Sequence, residues 1–211
     1  MKNPVRAFVL ATVLLAAPLG SARAQEAAPP LQEDPRAPRF AEVERGFFTG
    51  FEAGWLHLFD SPTADRGKYP FAGESGGAAG GFMMGAHVGV DVTDRIAVSL
   101  FASGANAEAS ASYGAFSLVA TGLDLRLSLI GRRDRNGVER LHVYVHGRGG
   151  WLMTRPSGLF GTSDVLLAGG PGIEYFTRLR HFSIGLATDV AYVVDASTLG
   201  VAVLPTVRYT F

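Results

Sequence analysis

From Gly46 onward the chain falls into eight runs in which apolar and polar residues alternate, separated by turn-forming residues. A repeat of two marks a strand with one apolar face, because successive side chains of an extended chain point to opposite sides. The last run is the clearest. Leu199, Val201, Val203, Pro205, Val207, Tyr209 and Phe211 share one parity, and Gly200, Ala202, Thr206, Arg208 and Thr210 share the other. Before it, Phe182, Ile184, Leu186, Val190 and Tyr192 oppose His181, Ser183, Gly185, Ala187, Asp189 and Ala191. Between 164 and 177, Val165, Leu167, Ile173 and Tyr175 oppose Asp164, Ala168, Gly170, Gly172 and Glu174. Pro171 falls on the apolar parity and, lacking an N–H, predicts a bulge or a break in the ladder.

The run from about 139 to 153 sets Leu141, Val143, Val145 and Trp151 against Arg140, His142, Tyr144, His146 and Arg148. Upstream, Val119, Leu123, Leu125, Leu127 and Leu129 oppose Gly122, Asp124, Arg126 and Ser128, and Ile96, Val98 and Leu100 oppose Ala97, Ser99 and Ser103. The first two runs are looser: Phe47, Phe51 and Trp55 against Gly50, Glu52 and Gly54, then Met84, Ala86, Val88 and Val90 against Gly85, His87, Gly89 and Asp91. Connections alternate in length. Short ones are expected at Thr93–Asp94, at Arg132 to Gly137 and at Leu179, longer ones at 60–81, 105–114 and 154–163, and a shorter tip near Asp195 to Thr198. The first long loop carries Gly73, Gly76, Gly77, Gly80 and Gly81 among alanines, a stretch without core-forming residues.

Which parity faces inward decides the fold class. The polar parity holds Glu52, Asp91, Asp124, Glu174 and Asp189 beside Arg126, Arg140, Arg148 and Arg208, with His87, His142 and His146. Isolated buried ions would each cost several kcal/mol, so these groups must pair across a narrow interior. The other parity is almost free of charge over eight strands, an insoluble surface in water and a suitable one in lipid. No apolar run of about 18 residues follows the first 24, so a membrane-spanning chain of this kind must cross with strands. The expected fold is all-β: an eight-stranded antiparallel transmembrane β-barrel, whose even strand number and short-long loop alternation suit a bacterial outer membrane. Eight strands leave an interior that side chains just fill. Phe47, Trp55, Trp151, Tyr175, Phe182, Tyr192, Tyr209 and Phe211, near strand ends, suit interfacial girdles.

The flanking sequence adds a destination. Residues 1–24 combine basic Lys2 and Arg6, an apolar stretch from Ala7 to Leu19 and small residues before Gln25, the organisation of a secretory signal peptide with cleavage expected after Ala24. Removing it takes three basic residues from a chain with 19 Lys and Arg against 19 Asp and Glu, giving 16 − 19 = −3. A nucleic-acid partner is therefore not expected. With no cysteine, disulfides, thiolate metal sites and acylation at a Cys are excluded. Residues 25–45, interrupted by Pro29, Pro30, Pro35 and Pro38, read as a disordered periplasmic lead-in, or alternatively a docking arm. The barrel is expected over 46–211.

Val207-Arg208-Tyr209-Thr210-Phe211, with Val203 before it, resembles the C-terminal strand signal of the outer-membrane barrel superfamily. With the signal peptide and eight alternating segments, the chain resembles the small eight-stranded outer-membrane barrels of OmpA/OmpX-like architecture. That resemblance implies location in a Gram-negative outer membrane and outer-membrane lipid and the barrel-assembly machinery as partners, with Val207, Tyr209 and Phe211 as the assembly signal. Arg45-Gly46-Phe47-Phe48 after a Pro-rich lead-in is also similar to the CglE-type barrels of the adventurous gliding-motility apparatus, which implies envelope or motility proteins as further partners.

Candidate chemistry is sparse. His142 and His146 share a face but, four residues apart in a strand, sit roughly 13 Å apart, too far to ligate one ion. No metal or cofactor site is expected, and the lumen histidines are read as hydrogen-bonding groups. His181 and Ser183 resemble the His-x-Ser pair of barrel lipid A deacylases, yet they follow the short Leu179 turn, whereas that family's site lies at the outer end; they are read as lumen residues. The glycine runs at 147–150 and 169–172 lack the Gly-Lys-Ser/Thr ending and the following helix of a phosphate loop. No catalytic residue is assigned. Glu52, Asp91, Asp124, Arg126, Arg140, Arg148, Glu174, Asp189 and Arg208 are expected to form a structural lumen network. The expected function is a non-enzymatic structural or interaction component of the envelope, in a gliding-motility or adhesion assembly; a passive small-solute pore and a lipid A-modifying enzyme are the alternatives.

Overall fold

The computed structural model describes residues 43–59, 79–108, 115–155, 163–179 and 181–211. The expected signal peptide, most of the expected lead-in and the glycine-rich part of the first expected loop lie outside these residues. Eight strands follow in chain order: β1 (Phe47–Leu58), β2 (Ala79–Asp91), β3 (Ile96–Glu108), β4 (Ala115–Arg133), β5 (Glu139–Arg155), β6 (Asp164–Phe176), β7 (Phe182–Val193) and β8 (Thr198–Thr210). Each pairs antiparallel with its neighbour, and β1 pairs with β8, closing the barrel. Closure gives every strand a neighbour on both sides and leaves no open sheet end. The end where β1 begins and β8 finishes is called here the entry end, and the opposite one the far end.

The two parities separate as the pattern demands. The outward set is exposed on every strand, with Leu100 at 60%, Leu123 at 59% and Val190 at 61% exposed, while Glu52, Arg148, Glu174, Asp189 and Arg208 on the inward set are buried. The strands reach further than the alternation suggested. β4 continues through Arg132 and Arg133, which the sequence placed in a turn, and Gly80, Gly81, Ala105, Ala107, Thr154 and Arg155 lie in strands rather than loops. Small residues explain the shortfall: alanine and glycine carry too little hydropathy to mark a face.

The wall departs from regular pairing in four places: at Ser128/Ile130 and Arg132/Arg133 in β4–β5, at Pro171 in β6–β7, and opposite Pro205, where β1–β8 skips from Glu52↔Thr206 to Trp55↔Val203. Partnering shifts by one residue between Ser128↔Tyr144 and Ile130↔Val143, so Leu129 is a bulge and Leu129 and Ile130 both face outward. At Pro171 the β6–β7 pairing lapses between Gly169↔Val190 and Gly172↔Ala187 and resumes in the same register. The proline thus makes a break in the ladder without a bulge. The Thr188 hydroxyl donates to the Pro171 carbonyl at 3.0 Å and bridges the gap.

Candidate functional site: a charged plug across the lumen

The lumen is divided along its axis. Toward the far end the inward positions are apolar: Leu56, Leu58, Met83, Phe116, Leu118, Leu152 and Val193 form one buried cluster with neighbouring alanines. The alternation did not reveal this half, because the clearest inward residues in the sequence were the charged ones. Toward the entry end the inward positions carry ions. A cavity of about 40 Å³ lies in each half, and Arg148 lines both. At roughly 10–15 Å³ per enclosed water, neither holds more than a few molecules.

Arg148, on β5, is the hub. Its Nη1 donates to Glu52 Oε1 at 2.7 Å and its Nη2 to Glu52 Oε2 at 3.1 Å, a two-pronged pair joining β5 to β1 across the barrel. Its Nε lies 3.5 Å from Asp189 Oδ2 on β7, and its Nη2 lies 3.8 Å from Asp124 Oδ2 on β4. His146, two residues earlier on the same inward row, stands between these carboxylates, with Nε2 2.9 Å from Asp189 and Nδ1 3.5 Å from Asp124. Arginine's planar fork suits such a position, since it engages several oxygens with one rigid cation.

A second layer lies nearer the entry end. Arg126 pairs with Glu174 and stacks over the Tyr144 ring at 3.8 Å, and the Ser183 hydroxyl donates to Glu174 Oε1 at 2.6 Å. Arg208 pairs with Asp91 and stacks over Phe48 at 3.7 Å. The Gly46 amide also donates to Asp91, at 3.3 Å. Two glycines leave room for rings on this face. A Cβ at Gly172 would come within 2.3 Å of the Tyr144 ring, and one at Gly50 within 2.0 Å of His87.

Among the expected network residues, the geometry joins Glu52, Asp124, Arg148 and Asp189 in one cluster and Asp91, Arg126, Glu174 and Arg208 in adjacent pairs. Arg140 stands apart. Its Nε donates to Asp134 at 2.8 Å and its Nη1 to the Thr177 carbonyl at 2.9 Å, so it ties the β4–β5 turn to the β6–β7 turn at the entry rim. Asp134 escaped the sequence reading because it lies in a turn, outside any alternating run. His146 is the hub's second cation-forming group, although in sequence it was one lumen histidine among several. His142 Nε2 lies 3.2 Å from the Glu139 carbonyl and its ring meets Phe176 edge-on.

The His181 and Ser183 reading requires correction. Ser183 faces the lumen, but His181 lies at the rim with a φ of 77°, its ring stacked on outward Tyr209 and its Nδ1 facing the Thr210 carbonyl and the Glu44 carboxylate. A left-handed turn residue just before β7 has left the strand, so strand parity no longer governs its direction. The two side chains serve different partners. Of the strand signal, Val207 and Phe211 are exposed on the outward face, and Tyr209 packs against Phe182 and Phe211, each with ring centroids 5.0 Å apart. Phe211 in turn meets Phe47 at 5.6 Å where the barrel closes.

A closed eight-stranded antiparallel sheet with an apolar exterior and a paired, charged interior has the fold of the small outer-membrane β-barrels. Among solved structures it is similar to Neisserial surface protein A, with a TM-score of 0.58 and 15% identity over 78% of this chain and 97% of that one. It is also similar to the outer membrane protein OprG from Pseudomonas aeruginosa, with a TM-score of 0.51 and 13% identity over 81% and 98% of the two chains. No family model matches the chain, and no curated protein matches it. The similar structures give no support to the gliding-motility resemblance.

Proposed function

We propose that this chain is a non-enzymatic outer-membrane protein, exported by a cleaved signal peptide, whose closed barrel is a structural or interaction component of the envelope. The plug carries this reading. Arg148, bonded to Glu52 across the barrel and flanked by Asp124, Asp189 and His146, lines both of the small lumen cavities described above and stands across the axis among the described residues. A barrel closed in this way holds its loops in place at the membrane surface, and specificity belongs to what those loops bind. The likeness to outer-membrane barrels of low identity supports the fold underlying this reading; the location rests also on the exposed apolar wall.

The competing reading is a passive small-solute pore, and one experiment separates them. Folded full-length protein is added to planar lipid bilayers, and current is recorded at fixed voltage. A closed barrel gives no steady conductance. Stepwise, ohmic conductance from the unaltered protein would contradict the plug and establish the pore.

A further inference from the structure

The short connections at the entry end repeat one arrangement. The β2–β3 turn exposes Val92 at 60% beside Arg95, the end of β4 exposes Ile130 at 64% beside Arg132, and the β6–β7 turn exposes Leu179 at 69% beside Arg178. Large apolar side chains this open, repeated beside a cation at three neighbouring connections, suit the boundary of a membrane.

The charge balance at this end is uneven. Among the described residues its carboxylates are already engaged: Asp94 by Arg45, Asp134 by Arg140, Glu139 by Arg133 and Glu44 by His181. Arg95, Arg132, Arg135 and Arg178 are exposed and have no acidic partner among the described residues. Arg132 also has a fixed direction. It pairs across the sheet with Leu141, which pairs with Tyr175, and directly opposed residues share a face, so Arg132 continues an outward row that ends on an interfacial aromatic.

A groove of about 530 Å³ lies among these features. It runs between the β2–β3 turn, with Asp94 and Arg95, and β4 from Ser128 to Gly131. β3 begins at Ile96, opposite Leu127, and the last bond to this flank is from the Ser128 amide to the Arg95 carbonyl at 2.7 Å. Beyond it, the β4 edge on that side has no strand partner among the described residues. The groove therefore offers arginine and a strand edge without a strand partner among the described residues at its rim, and opens onto the apolar wall through Ile130.

From this we propose that the entry end is a docking surface for anionic phospholipid, with a phosphodiester headgroup seated in the groove at Arg95 and further headgroups at Arg132 and Arg178. The acyl chains continue along the outward apolar face. This inference rests on the membrane reading above and adds a lipid preference to it. The occupant follows from two features together: cations without partners, and direct continuity with the lipid-facing wall. An acidic protein segment would match the charge but would leave Val92, Ile130 and Leu179 in water.

The test uses the full chain, folded in vesicles of phosphatidylethanolamine with or without phosphatidylglycerol. After gentle extraction, the lipids retained on the protein are counted by native mass spectrometry. Phosphatidylglycerol is expected to be retained over phosphatidylethanolamine, each arginine contributing roughly fivefold at about 1 kcal/mol per cation near an anionic surface. The R95Q/R132Q/R178Q variant loses the preference while keeping its heat-shifted migration, and Arg155→Gln, at the far end, leaves it intact. If the triple variant does not fold, Arg132→Gln alone, at an exposed position, carries the test with an expected drop of roughly fivefold. An inserted barrel with no preference, a preference that survives these substitutions, or an equal loss in Arg155→Gln overturns the proposal. Failure to insert into either vesicle contradicts the membrane reading itself and is seen separately, as absence of the heat shift.

Discussion

Arg148 illustrates how one side chain settles the character of this interior. It reaches Glu52 with two hydrogen bonds and lies within 4 Å of Asp124 and Asp189, so its removal strands the Glu52 carboxylate and leaves Asp124 and Asp189 facing His146 alone, in a space without room for bulk water. Arg148→Met is expected to destabilise the barrel by about 3–5 kcal/mol, the usual loss when one partner of a buried pair is deleted. Urea unfolding followed by gel mobility would measure it. Adding Glu52→Leu recovers part of the loss, since it removes a carboxylate that the first change leaves unpaired. Gly172 works by absence. The Tyr144 ring occupies the space of the missing side chain, so Gly172→Leu forces that ring off its contact with Arg126 and costs about 1–3 kcal/mol by overpacking in the same assay. At this scale the sequence was informative about composition and silent about partners. Inward parity identified Glu52, Asp124, Arg148 and Asp189 as sharing a lumen. Which of them meet depends on register and tilt around the whole barrel, and no local pattern encodes that.

Among the elements, the β4–β5 hairpin departs most from the alternation. Its bulge at Leu129 moves the parity by one, so Arg132, which the pattern put in a turn, becomes an outward strand residue. A single extra residue is invisible to a repeat of two whenever both neighbours are apolar, as Leu129 and Ile130 are. The hairpin's turn is organised by Asp134. Its carboxylate accepts from Arg140 Nε and from the Asn136 and Val138 amides, and these bonds, the arginine's above all, hold its pKa below the ordinary value of 3.8. A carboxyl with a depressed folded value adds stability above its unfolded value and loses it as pH falls through the folded one. Asp134→Asn is therefore expected to be less stable than the parent at neutral pH, with the gap closing only below pH 3.8. Unfolding midpoints across an acid series would check this, and a gap that closes above that pH would contradict the assignment. The opposite case is β6, where Pro171 announced its break in advance, because a residue without an N–H cannot complete a ladder wherever it sits.

For the whole molecule, the legible part was the exterior. Eight runs with an uncharged parity, no long apolar helix and an even strand number were enough to specify a closed barrel in lipid, and the strands close in chain order as that reading requires. The far half of the lumen was not legible. Leu56, Leu58, Leu118 and Leu152 face inward on the same rows as Glu52, Asp124 and Arg148, and an apolar residue on the polar parity looks like noise until the barrel places it beside others of its kind. The arrangement that results, ions toward the entry end and an apolar cluster toward the far end, closes the interior twice. It also places the large exposed apolar side chains of the strands on the outside, where a bilayer would cover them.

The most direct test of that central claim is the electrophoretic migration of the protein from purified outer membranes, with and without boiling, alongside protease treatment of intact cells. A closed barrel in lipid predicts a compact species that shifts on boiling, with cleavage confined to connections such as 60–78. A protein that shows no shift and is recovered in a soluble periplasmic fraction would contradict the account, since its apolar face would then have to be covered by something other than lipid.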